Sequence, residues 1–293
     1  MKKILALTLA LAMSLTLAAC GGGNGGGSSQ NDASGVSSST PQGGSSSQQS
    51  SGEYTTVEPG KLIMATNCHF PPYEMIADGE GPYVGADGVS YEGIDVEIAV
   101  ALANALGLEL VIDDMEFTSA LLAVQENRAD MTLAGLTYKP DRDEVMDFST
   151  SYAKGVQVVI VTDDSDIKEL DDLANDKMIG CQEGTTGYEY ASAPVEEDGY
   201  GEEHVNAYPN GATAVEALKN GQVDAVIIDN GPAQAYVAAN PGLHILPAEW
   251  VVEDYCLAVD EGNTALLGAL NAELEAMIAD GTIQTIIDKY ITD

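Results

Sequence analysis

Two successive runs of alternating apolar segments constrain this chain more than any other feature. "KLIMATN" (61–67) is a short apolar run ending in a polar residue, which predicts a strand. "DVEIAVALANALG" (95–107) places Val96, Ala99, Val100, Ala103 and Leu106 at helical spacing, with Asp95 as cap and Gly107 as stop. "LELVIDDM" reads as a strand, "SALLAVQEN" as a helix and "DMTLAGL" as a strand. The pattern then restarts. "VQVVIVT" (156–162) and "KMIGCQ" (177–182) predict strands, residues 211–220 a helix, and "AVIID" (225–229) and "YCLAVD" (255–260) further strands. The end of the chain reads as two helices broken at Asp280-Gly281. Alternation of this kind specifies α/β architecture, and the restart specifies two lobes.

An internal echo supports two lobes. "AVQENRADMTLAG" (123–135) and "ALKNGQVDAVIID" (217–229) both run helix end, Asn, turn, Asp, apolar strand. One ends in Ala134-Gly135 and the other in Asp229. Ligands of α/β sheets bind beyond the carboxyl ends of strands, often between domains, so these ends are expected to border one crevice.

The segment before Tyr54 has a different composition. Met1-Lys2-Lys3 followed by "ILALTLALAMSLTLAA" has the form of an export signal over residues 1–19. Its ending, "LAAC", resembles a bacterial lipobox, which implies lipidation of Cys20 and anchoring to a membrane by lipid rather than by a helix. Residues 20–53 are rich in Gly, Ser, Gln and Asn, have little to bury, and are expected to act as a flexible tether of roughly 30 Å. Removing the signal leaves 9 basic and 47 acidic residues, a formal charge of −38 against −36 for the whole chain. That charge argues against nucleic acid and against anionic lipid head groups as partners. Cys68, Cys181 and Cys256 are an odd set and do not make a closed disulfide framework, so they read as small buried groups. His69, His204 and His244 are scattered without metal-ligand spacing, no Ser-His-Asp or Cys-His arrangement is readable, and no metal or cofactor is implied.

Four features carry binding chemistry. Arg142, one of two arginines, stands in "TYKPDRDEVMDFS" (137–149) among Asp141, Asp143, Glu144 and Asp147. Pro140 suits the first turn of a helix, with Thr137 just before it, and a guanidinium there can hold a carboxylate through two parallel hydrogen bonds. A surface ion pair with Asp143 or Asp147 is the alternative. In "QEGTTGYEY" (182–190) a strand end, Gln182, leads into Thr185 and Thr186 at a helix start, suited to an anion or to simple capping. Asp229, closing "AVIID", can receive an ammonium group or serve as a turn residue. Phe70 and Phe117, two of three phenylalanines, follow strand ends and can enclose an apolar stem or pack in a core.

Together these resemble the bacterial extracellular solute-binding proteins of family 3, the polar amino acid receptors of ABC importers. "ATNCHFPPYE", "GIDVEIAVALANALG", "GLTYKPDR", "GTTG", "VDAVIID" and "DGTIQTIIDKY" are similar to that family's motifs, in order, from about residue 60 to the end. The resemblance implies a type II periplasmic-binding-protein-like fold. Lobe 1 would comprise 54–154 and 255–293, and lobe 2 155–254, with crossovers near 153–158 and 250–256. It implies a ligand site of Asn67, Phe70, Phe117, Ala134, Gly135, Thr137, Arg142, Gln182, Thr185, Thr186 and Asp229. Arg142, Thr137 and Thr186 would take an α-carboxylate, Asp229 and the Gly135 carbonyl an α-amine, and the two phenylalanines the side chain. Asn67 and Gln182 would read its far end, and their neutrality leans toward an uncharged polar amino acid, with Glu183 nearby against it. The implied protein is a non-enzymatic, monomeric, extracytoplasmic lipoprotein that closes on its ligand and docks to a membrane permease. Two rivals are a sensory lipoprotein and a cyclohexadienyl dehydratase-like enzyme using Glu183 as its acid. The loop 77–93 is longer than the family's usual one, and either the cleft mouth or the transporter is its expected neighbour.

Overall fold

A computed structural model describes residues 54–291 apart from 86, 87 and 175. The expected signal, Cys20 and the tether lie outside the described residues.

Two mixed sheets form the two lobes. The first has five strands in the order Glu109–Asp114, Lys61–Thr66, Met131–Thr132, Ala258–Asp260, Met146–Phe148. Lys61–Thr66 runs parallel to both of its neighbours, and Ala258–Asp260 is antiparallel to both of its own. The second has six strands. Val205–Tyr208, Ile179–Gln182, Ala225–Asp229, Ala153–Thr162 and Leu243–Ile245 follow in order, and Val251–Tyr255 also pairs with Ala153–Thr162.

The chain crosses between sheets on two strands that lie against each other. Ala153–Thr162 and Val251–Tyr255 are antiparallel, with Ala153 opposite Tyr255 and Gln157 opposite Val251. Gly155, opposite Glu253, is required there, because a Cβ would collide with the Tyr255 ring. Trp250, at the start of this crossover, packs against the rings of Tyr190 and Tyr200.

Each sheet is covered by helices whose apolar faces meet it. Leu62 and Met64 pack in one core with Ile98 and Leu102 of helix Ile94–Leu106 and with Leu266, Leu270 and Leu274 of helix Thr264–Ala279. Val159, Val161, Ile179 and Ile227 form the core on one face of the second sheet. Each such side chain contributes about 1.5–3 kcal/mol on burial. The three inner cysteines are free and buried.

Several local expectations change. Asp95 is not a cap: Gly93 precedes the helix at φ 130°, and a Cβ there would collide with the Tyr73 carbonyl. Asp95 sits in the first turn, fully buried. Gly107 does end the helix, in the left-handed region at φ 69°. "DMTLAGL" pairs only over Met131–Thr132. "YCLAVD" is split, because Tyr255 ends one strand and Ala258 begins another. Residues 140–145, around Arg142, form successive turns rather than a helix. Proline suits the first turn of a helix and a β-turn equally well. The long loop contributes Tyr83–Val84 and Ser90–Glu92 to a small antiparallel sheet with Glu74–Ile76 and His69–Phe70. Tyr83 donates to the Leu110 carbonyl at 2.8 Å, tying this sheet to the flank of the first lobe.

Candidate functional site: a cavity between the lobes

The carboxyl ends of strands from both sheets meet at one cavity with about 340 Å³ of space free of atoms, its mouth included. Its walls are Asn67, Phe70, Glu74, Phe117, Ala134, Gly135, Thr137, Arg142, Gln182, Thr185, Thr186 and Asp229. All eleven residues singled out from the sequence therefore come together, joined by Glu74. Glu183, the acid considered for an enzyme, is exposed instead, and it is not among those wall residues.

The lobes meet around this cavity. Gln182 Nε2 donates to Asn67 Oδ1 at 3.2 Å, and Asn67 Nδ2 donates to the Met115 carbonyl at 2.8 Å. Tyr236, on helix Asn230–Ala239, donates to the His69 carbonyl at 2.7 Å. Lys139 pairs with Glu189 of helix Thr186–Ser192. Gly184 has φ 74°, and a Cβ there would collide with Thr118 of the opposite lobe. The described geometry is thus a closed one.

Arg142 is held rather than free. It is 8% exposed. Nη1 donates to the Thr137 carbonyl and Nη2 to the Gly184 carbonyl, each at 3.0 Å. The guanidinium carbon lies 5.8 Å from the centre of the Phe117 ring, a cation–π distance. Its carboxylate neighbour is Glu189 at 3.9 Å, so the alternative pairing with Asp143 or Asp147 is not the arrangement found. Burial lowers its proton affinity, with Glu189 and Asp141 opposing. The group stays a cation in any case.

Thr185 caps helix Thr186–Ser192: its hydroxyl accepts from the Tyr188 N–H at 3.2 Å and donates to the Gln182 carbonyl at 2.8 Å. Gly135 has φ 53°, and a Cβ there would strike the Phe70 ring, so only glycine lets that ring lie against the strand end.

Acids dominate the other wall. Asp229 accepts from the Tyr255 hydroxyl and, at 2.9 Å, from Gln157 Nε2. Burial, with Glu253 beside it, pushes Asp229 up to about 7 against those hydrogen bonds. Asp95 accepts from the Gly135 N–H at 2.8 Å and from the Tyr152 hydroxyl at 2.9 Å, and burial still pushes it up to about 6. Glu74 is fully buried and faces Asp95; burial first, then Asp95, drives it well above the carboxylate range. Neither Glu74 oxygen nor Asp95 Oδ1 has a donor within hydrogen-bonding geometry. Two buried carboxyls face to face, with no donor to Glu74 or to Asp95 Oδ1, are best satisfied by one shared proton. Glu74 then behaves as a neutral carboxyl group at the cavity wall.

These features fit a receptor for a small zwitterion, and the comparison with known proteins decides the family. The model of the bacterial extracellular solute-binding proteins, family 3, matches residues 62–293. The chain belongs to this family.

Family 3 relatives share most of its length. The arginine-binding extracellular protein ArtP of Bacillus subtilis (strain 168) is 29% identical over 234 residues, 79% of this chain and 86% of the relative. An ancestral arginine-binding protein bound to arginine is 33% identical with a TM-score of 0.70, covering 79% of this chain and 98% of that one. An ancestral arginine-binding protein bound to glutamine is also 33% identical at a TM-score of 0.70, covering 80% of this chain and all of the other. The two-lobed fold and membership among binding proteins rather than enzymes follow. Family 3 proteins work outside the cytoplasm, and among the described residues no helix is long and apolar enough to cross a membrane.

Sequence reasoning missed Glu74, Gln157, Glu253 and Tyr255. One signal for Glu74 was available: no Lys or Arg occurs between Lys61 and Arg128, so an acid there has no local cation to pair with.

Proposed function

We propose that this protein is the substrate-binding component of an amino acid ABC importer, closing on one free amino acid and presenting it to a membrane permease. The observation that carries this reading is the cavity's polarity, with a buried arginine at one wall and Asp229 at another, some ten wall residues sharing the space between. Arg142 takes the α-carboxylate through its planar fork, assisted by Thr137 and Thr186. Asp229 and the Gly135 carbonyl take the α-ammonium group. Phe70 and Phe117 flank the side chain, and Asn67 and Gln182 read its polar end. Lobes 54–154 with 255–293 and 155–254 move about the paired crossover strands. A permease that fits only the closed form reads occupancy directly. The lipid at Cys20 and the tether keep the receptor beside its permease.

The neutral Asn67–Gln182 pair favours an uncharged polar side chain. A second reading is a cationic side chain, which would displace the proton shared by Glu74 and Asp95 and leave Glu74 as its charged partner at the cavity wall; relatives named for arginine are consistent with it. The test is calorimetric titration with an amino acid, its α-amide and its N-acetyl form. Binding of the amino acid with loss of at least ~100-fold for both blocked forms supports the reading, since each removes a charge-assisted contact. Equal binding of either blocked form contradicts it.

A further inference from the structure

The residue assigned to the ligand's amine is wired into both crossover strands. Gln157 lies on Ala153–Thr162, and Glu253 and Tyr255 lie on Val251–Tyr255. Gln157 Nε2 donates to Asp229 Oδ2 at 2.9 Å and to Glu253 Oε2 at 2.8 Å, so its amide hydrogens join two carboxyl groups. Tyr255 donates to the other Asp229 oxygen. All four residues are buried. Two acceptors in this cluster, Glu253 Oε1 and Gln157 Oε1, have no donor.

The charged and titratable groups facing the cluster come from every side. Tyr73 and Glu74 face Asp229 from the 70–76 segment, and Tyr190 faces Glu253 from helix Thr186–Ser192. Arg142 is the cation whose charge faces Glu253, from across the cavity, and its hydrogen bonds go to Thr137 and Gly184. Two buried carboxylates bridged by one amide, with orphaned acceptors beside them, are one positive charge short.

We propose that Gln157, Glu253 and Tyr255 are positioning residues for Asp229, and that Asp229 holds one proton in the empty receptor and surrenders it when the ligand's ammonium group arrives. The incoming group is already –NH₃⁺ and keeps its three protons, donating hydrogen bonds to Asp229. The displaced proton passes to solvent, so one charge replaces another. Because the cluster sits on the crossover strands, the same exchange couples occupancy to the hinge. The inference rests on Asp229 as amine receptor.

The elevation of Asp229 to about 7 sets the pH window. Asp229 is protonated below that value and ionised above it. Affinity therefore falls by about tenfold per unit as pH drops below 7, and is flat above it. Proton release is about 0.5 per ligand at pH 7 and about 0.9 at pH 6.

The experiment uses the full chain. The twenty amino acids and cystine are screened for a rise in melting temperature, and the compound giving the largest rise is titrated calorimetrically between pH 6 and 8. Two buffers of different ionisation enthalpy are used at each pH, and the compound's own titration is measured separately. Buffer-dependent heats that report release growing as pH falls support the proposal. Glu253→Gln should cut release at pH 7 by at least half, because Asp229 loses its charged neighbour. Tyr255→Phe should raise release at pH 8, because Asp229 loses a donor that favours its ionised form. A merely structural role for either residue would not move the two profiles in opposite directions. Tight binding with no proton release in the wild-type protein overturns the proposal while leaving the receptor reading intact. No rise in melting temperature from any of the compounds overturns both.

Discussion

Arg142 Nη2 donates to the Gly184 carbonyl across the cleft at 3.0 Å, so a cation of the first lobe helps to bolt the second lobe shut. The side chain assigned to the ligand's carboxylate thus also senses closure. Arg142→Lys keeps the charge but loses the planar fork and one of these contacts. Affinity should fall at least ~10-fold for lysine and ~100-fold for alanine, on the scale of one and two charge-assisted hydrogen bonds. Titration calorimetry of both variants measures this, and wild-type binding by Arg142→Ala would remove the clamp assignment.

Gly184 tests closure apart from contact chemistry. Its φ of 74° and the nearness of Thr118 leave no room for a Cβ in the closed form. Gly184→Ala should weaken binding at least ~10-fold, given roughly 1–2 kcal/mol of left-handed strain plus the collision. The double variant with Thr118→Ala should recover part of that loss, because only the collision is relieved. Small-angle scattering should show less contraction on ligand addition for the single variant than for the double.

Much of this site was legible because its residues lie where α/β sheets put function, on the loops leaving strand ends. Asn67, Gln182 and Asp229 each end or follow an apolar run that the sequence displays. What was not legible depends on pairings distant in sequence. Gln157 and Glu253 are 96 positions apart, and only the pairing of the crossover strands brings them together. Asp95 looks the same to sequence reasoning at the cap as in the first turn, because both positions favour an acid near the helix start. Its bonds to Gly135 and Tyr152 decide the matter, and neither is local. Arg142 was misplaced on a helix because Pro140 fixes only its own φ.

Glu74 decides between a neutral and a cationic ligand side chain. Glu74→Gln preserves shape, and its amide can donate toward Asp95 in place of the shared proton. If the ligand is uncharged, affinity should change less than ~5-fold and stability at pH 8 should rise, because one buried acid is gone. If the ligand is cationic, affinity should fall at least ~10-fold. Binding and melting curves on the one variant separate the two cases.

Stability should fall as pH rises toward 8. Burial raises Asp229 to about 7 and Asp95 to about 6, and drives Glu74 upward as well. The folded protein therefore binds more protons than the unfolded chain from about pH 4 upward to those values. Stability from these groups is present below the unfolded value and is lost as pH passes through the folded one. The ligand-free melting temperature at pH 5 should exceed that at pH 8 by at least about 4 °C. Differential scanning calorimetry in constant ionic strength checks it, and a higher melting point at pH 8 would mean that the buried acids are not protonated in the fold.

The most direct test of the receptor reading is a melting-temperature screen of the protein against the twenty amino acids and cystine, after unfolding and refolding to strip any carried-over ligand. At 100 times its dissociation constant a ligand adds ~2.7 kcal/mol, which raises the melting point by several degrees. A rise from one or a few polar amino acids, abolished in Arg142→Ala, is the predicted result. No rise from any of them, or the same rise in Arg142→Ala, would contradict an amino acid held by Arg142 between the lobes.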